Sequence, residues 1–366
     1  MLYRRNYFFI YGRNTELVFF ILSINPGSTT TEFGYYINNN QIWKEEIEHY
    51  NNNLHKIVSE QVDCRYSLIT PFLSKIPQLD AVVGRGGPLK PLKSGIYKIN
   101  DEMLSDYINQ TYSNHASNLG AILAYKISKL YSCPSYIIDP VTSDDFIPEA
   151  RISGIPGIER KSRSHTLNIK YCVYKAEQKL NLPNKSGNFV VSHLGSGFSI
   201  ASVKNGKIID VNDALLGMGP FSIERAGAIP LQGLLDLVFN EKLTKSQLIE
   251  LFSKKSGLMG YLNTNDLREV EKNINLNPQV KLIYNAMIFQ ICKEIGSAFA
   301  TLNGEVNGLI LTGGLCKSKL FTDYIKNKSK YFKNIIVYPG SFELEALASG
   351  GLNALNNPRK VKIYHS

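Results

Sequence analysis

Four hydroxyl side chains follow a glycine near the start of the chain, a combination suited to contact with phosphate. They lie in the segment LVFFILSINPGSTTTEFGYYINNNQI, residues 17–42. Its apolar start, Leu17 to Ile24, is long enough for a buried strand and too short to cross a membrane, and the Asn-Pro-Gly that follows should end the strand. Because glycine permits close approach to the backbone, the segment predicts a phosphate-binding hairpin, with a purely structural turn as the alternative.

A second stretch repeats this design in the later half of the chain. Residues 189–211, FVVSHLGSGFSIASVKNGKIIDV, contain an apolar run, a Gly-Ser-Gly turn beside His193, a second extended run, the turn Asn205-Gly206 and a third strand. Such a repeat predicts two halves related by duplication, with two glycine hairpins facing each other across a cleft that holds one polyphosphate. Turns of this kind bind anions through backbone N–H groups and need few charged side chains.

Other polar residues of the first half lie where predicted strands end or helices begin. A strand at 79–83 runs into a Gly-Arg-Gly-Gly loop with Arg85, His115 stands at the entrance of a helical segment within 101–130, and Asp139 follows a strand at 135–138. The ends of strands in α/β proteins are common positions for ligand or metal groups. Each residue also has an ordinary structural interpretation, as a turn arginine, a helix cap and a turn aspartate.

The second half carries three comparable segments. A Gly- and Pro-rich loop at 215–230 contains Arg225, Asp266 and Arg268 could meet a ligand or start a helix, and a strand at 308–315 ends in Gly313-Gly314 before a helix. The paired glycines suit close backbone approach to a nucleoside or phosphate. Since the chain has no P-loop, no dinucleotide-binding glycine motif after its first strand and no nucleophile-elbow motif, those classes are set aside.

Length and composition limit the remaining classes. The chain has 366 residues, of which 43% are hydrophobic, which predicts two domains with substantial cores. Its net charge of +10 comes without a dense basic run, so attraction of small anionic substrates explains it as well as nucleic acid does. The five cysteines form no CxxC pair, which fits a reducing cytoplasm. Residues 1–16 are interpreted as an appendage before the first core strand, not as a signal peptide.

Ten motifs resemble, in order, those of the acetate kinase family, and within it the butyrate kinases. The resemblance covers about residues 17–355 and implies a duplicated ribonuclease-H-like α/β fold of the actin-like ATPase type, with two domains around a central cleft. Residues 17–160 would form the N-terminal domain, joined by a C-terminal helix at 341–356, and residues 161–340 the nucleotide-binding domain. The motifs are INPGSTTTE, VVGRGGPLKP, HASNLGA, IIDPVT, ARISGIPGIERKSRSH, HLGSGFS, GMGPFSIERAGAIP, NTNDLREVE, LTGGL and YPGSFELEALA.

This resemblance also implies an activity, the reversible transfer of the ATP γ-phosphoryl group to a short-chain carboxylate, which gives ADP and an acyl phosphate. The cofactors would be ATP or ADP and Mg²⁺. Branched-chain fatty-acid, acetate or propionate kinase activity remains a near alternative, and a catalytically weak ATP-binding protein is a more distant one. The expected partners are the carboxylate or acyl phosphate and further copies of the chain in a homodimer or higher homo-oligomer, with no nucleic acid and no membrane.

The resemblance assigns roles to residues of these motifs. Arg85 and Arg225 would clamp the carboxylate and the transferring phosphoryl group, His165 would hydrogen-bond that group, and His115 would lie at the substrate end. Mg²⁺ would be positioned by Asp139 and Glu343, with Glu345 as the competing match for Glu343. The phosphate path would be lined by Asn25, Ser28, Thr30, His193, Gly195 and Gly197. The nucleoside side would be lined by Asp266, Arg268, Gly313 and Gly314.

Two positions depart from the family pattern. Glu32 stands where relatives usually have lysine, and a carboxylate beside the phosphate path could repel ATP unless it is turned away or bound to the metal. We therefore expect altered nucleotide or metal dependence. Ser164 stands where relatives usually have phenylalanine, which predicts a larger acyl pocket and a preference for butyrate, isobutyrate or longer branched acids over acetate.

Overall fold

A computed structural model describes residues 17–49 and 57–365, so the prediction for residues 1–16 lies outside the described residues. The strands are β1 (Phe20–Pro26), β2 (Thr30–Ile37), β3 (Asn40–Glu48), β4 (Ala81–Arg85), β5 (Ile96–Lys98), β6 (Ser135–Ile138), β7 (Asn188–Leu194), β8 (Phe198–Lys204), β9 (Lys207–Val211), β10 (Gly308–Gly313), β11 (Ile335–Pro339) and β12 (Lys362–Ile363).

The helices lie between these strands singly or in runs, and the longest run is the five helices between β9 and β10. They are α1 (Val62–Leu73), α2 (Asp101–Ile108), α3 (Asn118–Leu130), α4 (Pro148–Arg151), α5 (Thr166–Lys179), α6 (Leu231–Phe239), α7 (Lys245–Lys254), α8 (Gly257–Leu262), α9 (Leu267–Asn273), α10 (Pro278–Thr301), α11 (Lys319–Lys328) and α12 (Glu343–Asn356). No helix of the described residues is both long and apolar enough to cross a membrane.

Five strands of the first sheet, β6-β4-β1-β2-β3, have the same order and directions as the five strands of the second sheet, as the predicted duplication requires. In the first sheet the strand order is β12-β5-β6-β4-β1-β2-β3, and in the second it is β11-β10-β7-β8-β9. Each sheet contains a three-stranded antiparallel meander, β1–β3 or β7–β9. The first strand of each meander also pairs in parallel with a later strand, β1 with β4 and β7 with β10. Parallel pairs need long crossovers, and helices supply them here. This is the mixed α/β, ribonuclease-H-like arrangement that the sequence predicts.

Chain contacts divide the protein into two compact units. The first comprises residues up to Thr142 together with Glu343–Ser366, and the second comprises Ser143–Phe342. The predicted division between residues 160 and 161 falls inside the second unit, whereas α12 belongs to the first unit. The assignment of these units as independent domains stays a prediction.

Each unit has its own apolar core, in which the central strands are buried on both faces. Residues 21–26 of β1 and 189–194 of β7 are all buried. Continuous apolar strands of this kind are typical of sheets that are covered by helices on both faces. In the first unit α3 and α12 pack on β1 and β4, and in the second unit α5 packs on β7 and β10.

Three boundaries differ from the sequence predictions. Strand β1 continues through Asn25 and Pro26, and β2 already begins at Thr30, so fewer of the four hydroxyl residues lie in the turn than predicted. The ladder extends because Asn25 pairs with Glu32, and Pro26 with Thr31. The single helical segment predicted at 101–130 is two helices, α2 and α3, separated by the turn that carries His115.

Candidate active site

Arg85 ends β4 at a point where the strand and α3 approach unusually closely. A Cβ at Gly84 would lie 2.0 Å from the carbonyl oxygen of Gly120, so only glycine fits there. The guanidinium donates from Nη1 to Asn25 Oδ1 at 3.1 Å and lies 3.9 Å from Glu343 Oε1. The structure therefore brings the predicted residues Arg85, Asn25 and Glu343 together in the first unit.

Glu32 joins this group through Asn25. Its Oε2 accepts from Asn25 Nδ2 at 3.0 Å, and its Oε1 accepts from Lys44 Nζ at 3.0 Å. The resulting hydrogen-bonded chain runs from Lys44 through Glu32 and Asn25 to Arg85. Both carboxylate oxygens accept hydrogen bonds, and the Lys44 ammonium is 3.0 Å from Oε1. The negative charge of Glu32, which the sequence suggests could repel ATP, is therefore locally balanced. Sequence reasoning missed Lys44.

The turn between β1 and β2 rests on a buried arginine that sequence reasoning also missed. Arg65 of α1 is fully buried and donates to the carbonyl oxygens of Gly27, Ser28 and Thr30 at 2.9, 3.1 and 2.9 Å. It also donates to Thr31 Oγ1 and to Gln61 Oε1. Burial lowers the pKa of Arg65 to about 10.

These contacts orient the peptide groups of the turn. In a trans peptide the C=O and N–H bonds point in opposite directions. Since the carbonyls of Gly27 and Ser28 point at Arg65, the N–H groups of Ser28 and Thr29 point away from it. A set of aligned N–H groups is the geometry that binds anions. The predicted residue Ser28 thus lies in a turn whose backbone Arg65 holds, and Thr30 begins the strand that follows it.

His49 at the end of β3 completes the support of this turn. Its Nε2 lies 2.8 Å from Thr31 Oγ1, which also accepts from Arg65. Burial and the nearby charge of Arg65 lower the pKa of His49 to about 4. The ring is therefore neutral at ordinary pH.

His115 lies in the turn before α3 and is exposed to solvent. Its Nδ1 accepts from the backbone N–H of Ser117 at 3.2 Å and lies 2.5 Å from the Ser117 hydroxyl. The surrounding protein and the charge of Arg85 lower the pKa of His115. This residue is thus electrostatically coupled to the Arg85 group.

Two buried carboxylates of the first unit are the residues that would hold Mg²⁺. Asp139 follows β6 with a left-handed φ of 41° and accepts from Gly95 N at 2.7 Å through Oδ1. Glu343, the first residue of α12, lies beside Arg85, whereas Glu345 contributes to the electrostatic environment of Lys44. No cluster of three or more metal-binding side chains occurs among the described residues. Carboxylate oxygens are ligands of the kind that Mg²⁺ takes beside water and phosphate, and the role of these two residues in binding it stays a prediction.

In the second unit His165 and His193 stack face to face. Their ring centroids are 3.8 Å apart with an interplanar angle of 9°. His193 is the penultimate residue of β7, and its Nδ1 lies 2.8 Å from Asn168 Nδ2. His165 precedes α5, and its Nδ1 lies 2.9 Å from Ser199 Oγ on β8. The structure thus brings the two predicted histidines together and adds Asn168 and Ser199.

Arg225 packs against the turn between β7 and β8. A Cβ at Gly197 would lie 2.0 Å from Arg225 Nη1, so glycine is required for this contact. Nη1 also donates to the carbonyl oxygen of Ala214. Burial lowers the pKa of Arg225, while Glu224 and Asp213 oppose the shift. Gly195, at the start of the turn, lies beside the His193 ring, because its Cβ would be 3.5 Å from Nε2.

The predicted glycine pair at the end of β10 divides into two different positions. Gly313 has a φ of 99°, and a Cβ there would lie 2.3 Å from the carbonyl oxygen of Leu194. It therefore serves close packing on β7. At Gly314 a Cβ would meet nothing within 4 Å, so this residue presents open backbone.

Asp266 and Arg268 form a pair of their own at the start of α9. Asp266 caps the helix by accepting from Arg268 N, and the Arg268 guanidinium donates to both carboxylate oxygens. This pairing lowers the pKa of Asp266 to about 2. Of the two interpretations left open by the sequence, the structure bears out the helix start. Among the residues that the structure describes, no hydrogen bond joins this pair to the histidine group or to Arg225.

Ser164 is buried next to His165 in the second unit. Its hydroxyl lies 3.0 Å from Thr166 Oγ1 at the start of α5. The small side chain is therefore engaged in a local hydrogen bond. Its effect on acyl-chain preference stays a prediction.

Comparison with known proteins supports the family resemblance in one region and the fold throughout. Residues 156–324 match the model of the Acetokinase family. This region of the chain is similar to that family. That region holds His165, His193, Arg225, Asp266, Arg268, Gly313 and Gly314.

Solved structures with a similar fold include carboxylate kinases. An acetate kinase from Porphyromonas gingivalis has a TM-score of 0.74 at 20% identity, over 92% of this chain and 99% of that chain. A propionate kinase from Francisella tularensis has a TM-score of 0.74 at 20% identity, over 90% and 98%. An acetate kinase from Entamoeba histolytica has a TM-score of 0.74 at 18% identity, over 90% and 98%. At these identities the likeness shows the shared fold.

Proposed function

We propose that this protein is a butyrate kinase, which transfers the γ-phosphoryl group of ATP to a short-chain carboxylate and forms ADP and an acyl phosphate. The observation that carries the proposal is the similarity of residues 156–324 to the Acetokinase family, in a region that contains the stacked pair His165–His193 and Arg225 against Gly197. The arrangement of Arg85, Asn25 and Glu343 in the first unit supports it.

The chemistry needs alignment and charge neutralisation more than it needs a base. A carboxylate oxygen already has the electron pair for attack on phosphorus, so no side chain has to remove a proton. Arg85 and Arg225 bind the anionic groups, and His165 donates a hydrogen bond to the phosphoryl oxygens. When bound at Asp139 and Glu343, Mg²⁺ neutralises phosphate charge. These residues act by electrostatic stabilisation of the transition state.

The structural setting of Glu32 supports a working enzyme over a weak ATP-binding protein. Its carboxylate forms hydrogen bonds with Lys44 and Asn25, so the negative charge is compensated within the first unit. Preference for butyrate over acetate rests on the small Ser164 side chain. That preference is the finer part of the proposal.

A hydroxamate assay for acyl phosphate tests both parts. The full chain is incubated with ATP and Mg²⁺ and with acetate, propionate, butyrate, isobutyrate or isovalerate in parallel. We expect product with several acids and the highest kcat/KM with butyrate or isobutyrate. Equal efficiency with acetate and butyrate would contradict the preference. Nucleotide binding without acyl phosphate from any acid would reject the kinase assignment.

A further inference from the structure

Asn168 is a buried amide that connects three structural elements of the second unit. It lies on α5 and is 1% exposed. Its Oδ1 accepts from the backbone N–H of Phe342 at 3.0 Å, and its Nδ2 lies 2.8 Å from His193 Nδ1 and 3.2 Å from Thr312 Oγ1. Both polar ends of the side chain are therefore engaged.

These partners determine which way the amide faces. A backbone N–H can only donate, so the amide atom facing Phe342 must be the oxygen. The Thr312 hydroxyl donates to the carbonyl oxygen of Gly340 at 3.2 Å, which leaves its lone pairs for Asn168 Nδ2. With the amide turned over, its NH₂ group would oppose the Phe342 N–H, and a buried donor would lose its acceptor. The orientation is thus fixed by groups other than His193.

We propose that Asn168 is a positioning residue that holds His193 as the neutral tautomer with its proton on Nε2. Because Asn168 presents an N–H to Nδ1, that nitrogen must accept and cannot carry a proton itself. An imidazolium would place two donors against each other at 2.8 Å. The titratable groups around His193 are His165, stacked on its ring, and Cys172 and Cys316, which contact Thr312.

The tautomer places a hydrogen-bond donor beside the glycine turn. Nε2 is the ring atom nearest Gly195, where a Cβ would lie 3.5 Å away. The next step rests on the proposed function. His193 is then a neutral hydrogen-bond donor to a phosphate oxygen, and it adds no positive charge to the site. Sequence reasoning missed Asn168, although it stands three positions after His165, a spacing that places side chains on one helix face.

The test reads the tautomer directly in the full chain. Protein labelled with ¹⁵N at histidine is examined by long-range ¹H–¹⁵N correlation at a pH where imidazoles are neutral, and a His193→Gln variant assigns the signal. We expect a pyridine-like Nδ1 and a pyrrole-like Nε2 for His193. A pyrrole-like Nδ1 in the wild-type protein would overturn the inference without the need for any further variant.

Two variants separate positioning from general packing. Asn168→Asp keeps an acceptor for Phe342 and replaces the NH₂ group by oxygen, so His193 should gain a proton on Nδ1. Thr312→Val removes another partner of Asn168 and should leave the tautomer unchanged. An unchanged His193 signal in folded Asn168→Asp, or a reversed one in Thr312→Val, would contradict the inference.

An activity measurement connects the tautomer to the proposed reaction. Asn168→Asp should lower kcat/KM for ATP about tenfold or more, which corresponds to the loss of one well-placed donor. The NMR result does not depend on turnover. If the wild-type protein shows the expected tautomer but forms no acyl phosphate, only the kinase assignment is rejected. If Asn168→Asp reverses the tautomer but keeps a normal kcat/KM, the role assigned to His193 is rejected.

Discussion

Each unit contains an asparagine whose amide is turned by one neighbour so that it faces a predicted site residue, but the two are held in different ways. Asn25 on β1 donates to the Glu32 carboxylate and thereby presents its oxygen to Arg85. Asn168 on α5 accepts from the backbone N–H of Phe342 and thereby presents its NH₂ group to His193. A charged side chain fixes the first amide, and the main chain fixes the second.

The turns next to these residues show the same contrast. Both begin with Gly-Ser, yet the carbonyls of the first turn are held by the buried Arg65, whereas the Ser196 carbonyl of the second accepts from the Ser222 hydroxyl at 2.6 Å. Duplication has therefore preserved the strand topology while the supporting groups have diverged. The first hairpin should respond strongly to changes in charge and pH, and the second to changes in hydrogen-bond direction.

The largest effect should come from the arginines of the two units. Arg85→Ala and Arg225→Ala should each lower kcat in the hydroxamate assay by a factor of 10² or more, since removing one preorganised donor costs about 3 kcal/mol of transition-state stabilisation. Arg359→Ala is a matched control, because this arginine is exposed in the turn after α12. Near-normal turnover in either site variant would remove that arginine from the mechanism.

The support that buried Arg65 gives the first hairpin should be measurable in the free energy of unfolding. Arg65→Met leaves several buried acceptors without a donor and should destabilise the first unit by about 3 kcal/mol. Ser222→Ala removes one neutral hydrogen bond from the second hairpin and should cost about 1 kcal/mol.

Urea unfolding measures both variants. Trp43, the sole tryptophan, packs 5.8 Å from the Tyr35 ring in the first unit, so its fluorescence reports that unit, and circular dichroism follows the whole chain. A greater loss in Ser222→Ala than in Arg65→Met would reverse the comparison.

The backbone was more predictable than its supports. Apolar runs ended by Gly-Ser turns reveal β1–β2 and β7–β8, because strand burial and turn chemistry are local properties of the sequence. Arg65 could not be found in this way, since nothing around it distinguishes a buried arginine from a surface residue on a helix. Similarly, Glu32 alone predicts repulsion of ATP, and only the pairing of β2 with β3 reveals Lys44 as its partner.

A pH dependence should follow from His49 in the first unit. Its pKa is about 4 in the folded protein against 6.5 for the ordinary value, so between these values the unfolded chain binds a proton that the folded chain does not. The free energy of unfolding should therefore fall, by up to about 3 kcal/mol, as the pH decreases from 6.5 to 4.

Trp43 fluorescence in urea at several pH values measures this slope. His49→Gln should reduce it, and a smaller slope should remain because the pKa of His115 is lowered in the same direction. A slope that is identical in wild type and His49→Gln would exclude His49 as its source.

The smallest effect is expected at Glu32, where different substitutions separate the charge of the carboxylate from its role as a hydrogen-bond acceptor. Glu32→Lys places two cations together and should destabilise the first unit by about 1 kcal/mol, while the exchange Glu32→Lys with Lys44→Glu should restore the ion pair and most of that stability. The exchange should not restore activity, because a lysine at position 32 cannot accept from Asn25, whose amide would then present NH₂ to Arg85. Glu32→Gln can still accept and should keep kcat/KM within about threefold of wild type. If Glu32→Lys leaves the KM for ATP unchanged, Glu32 has no part in nucleotide binding; if the exchange restores full activity, the Asn25 amide does not need the orientation seen here.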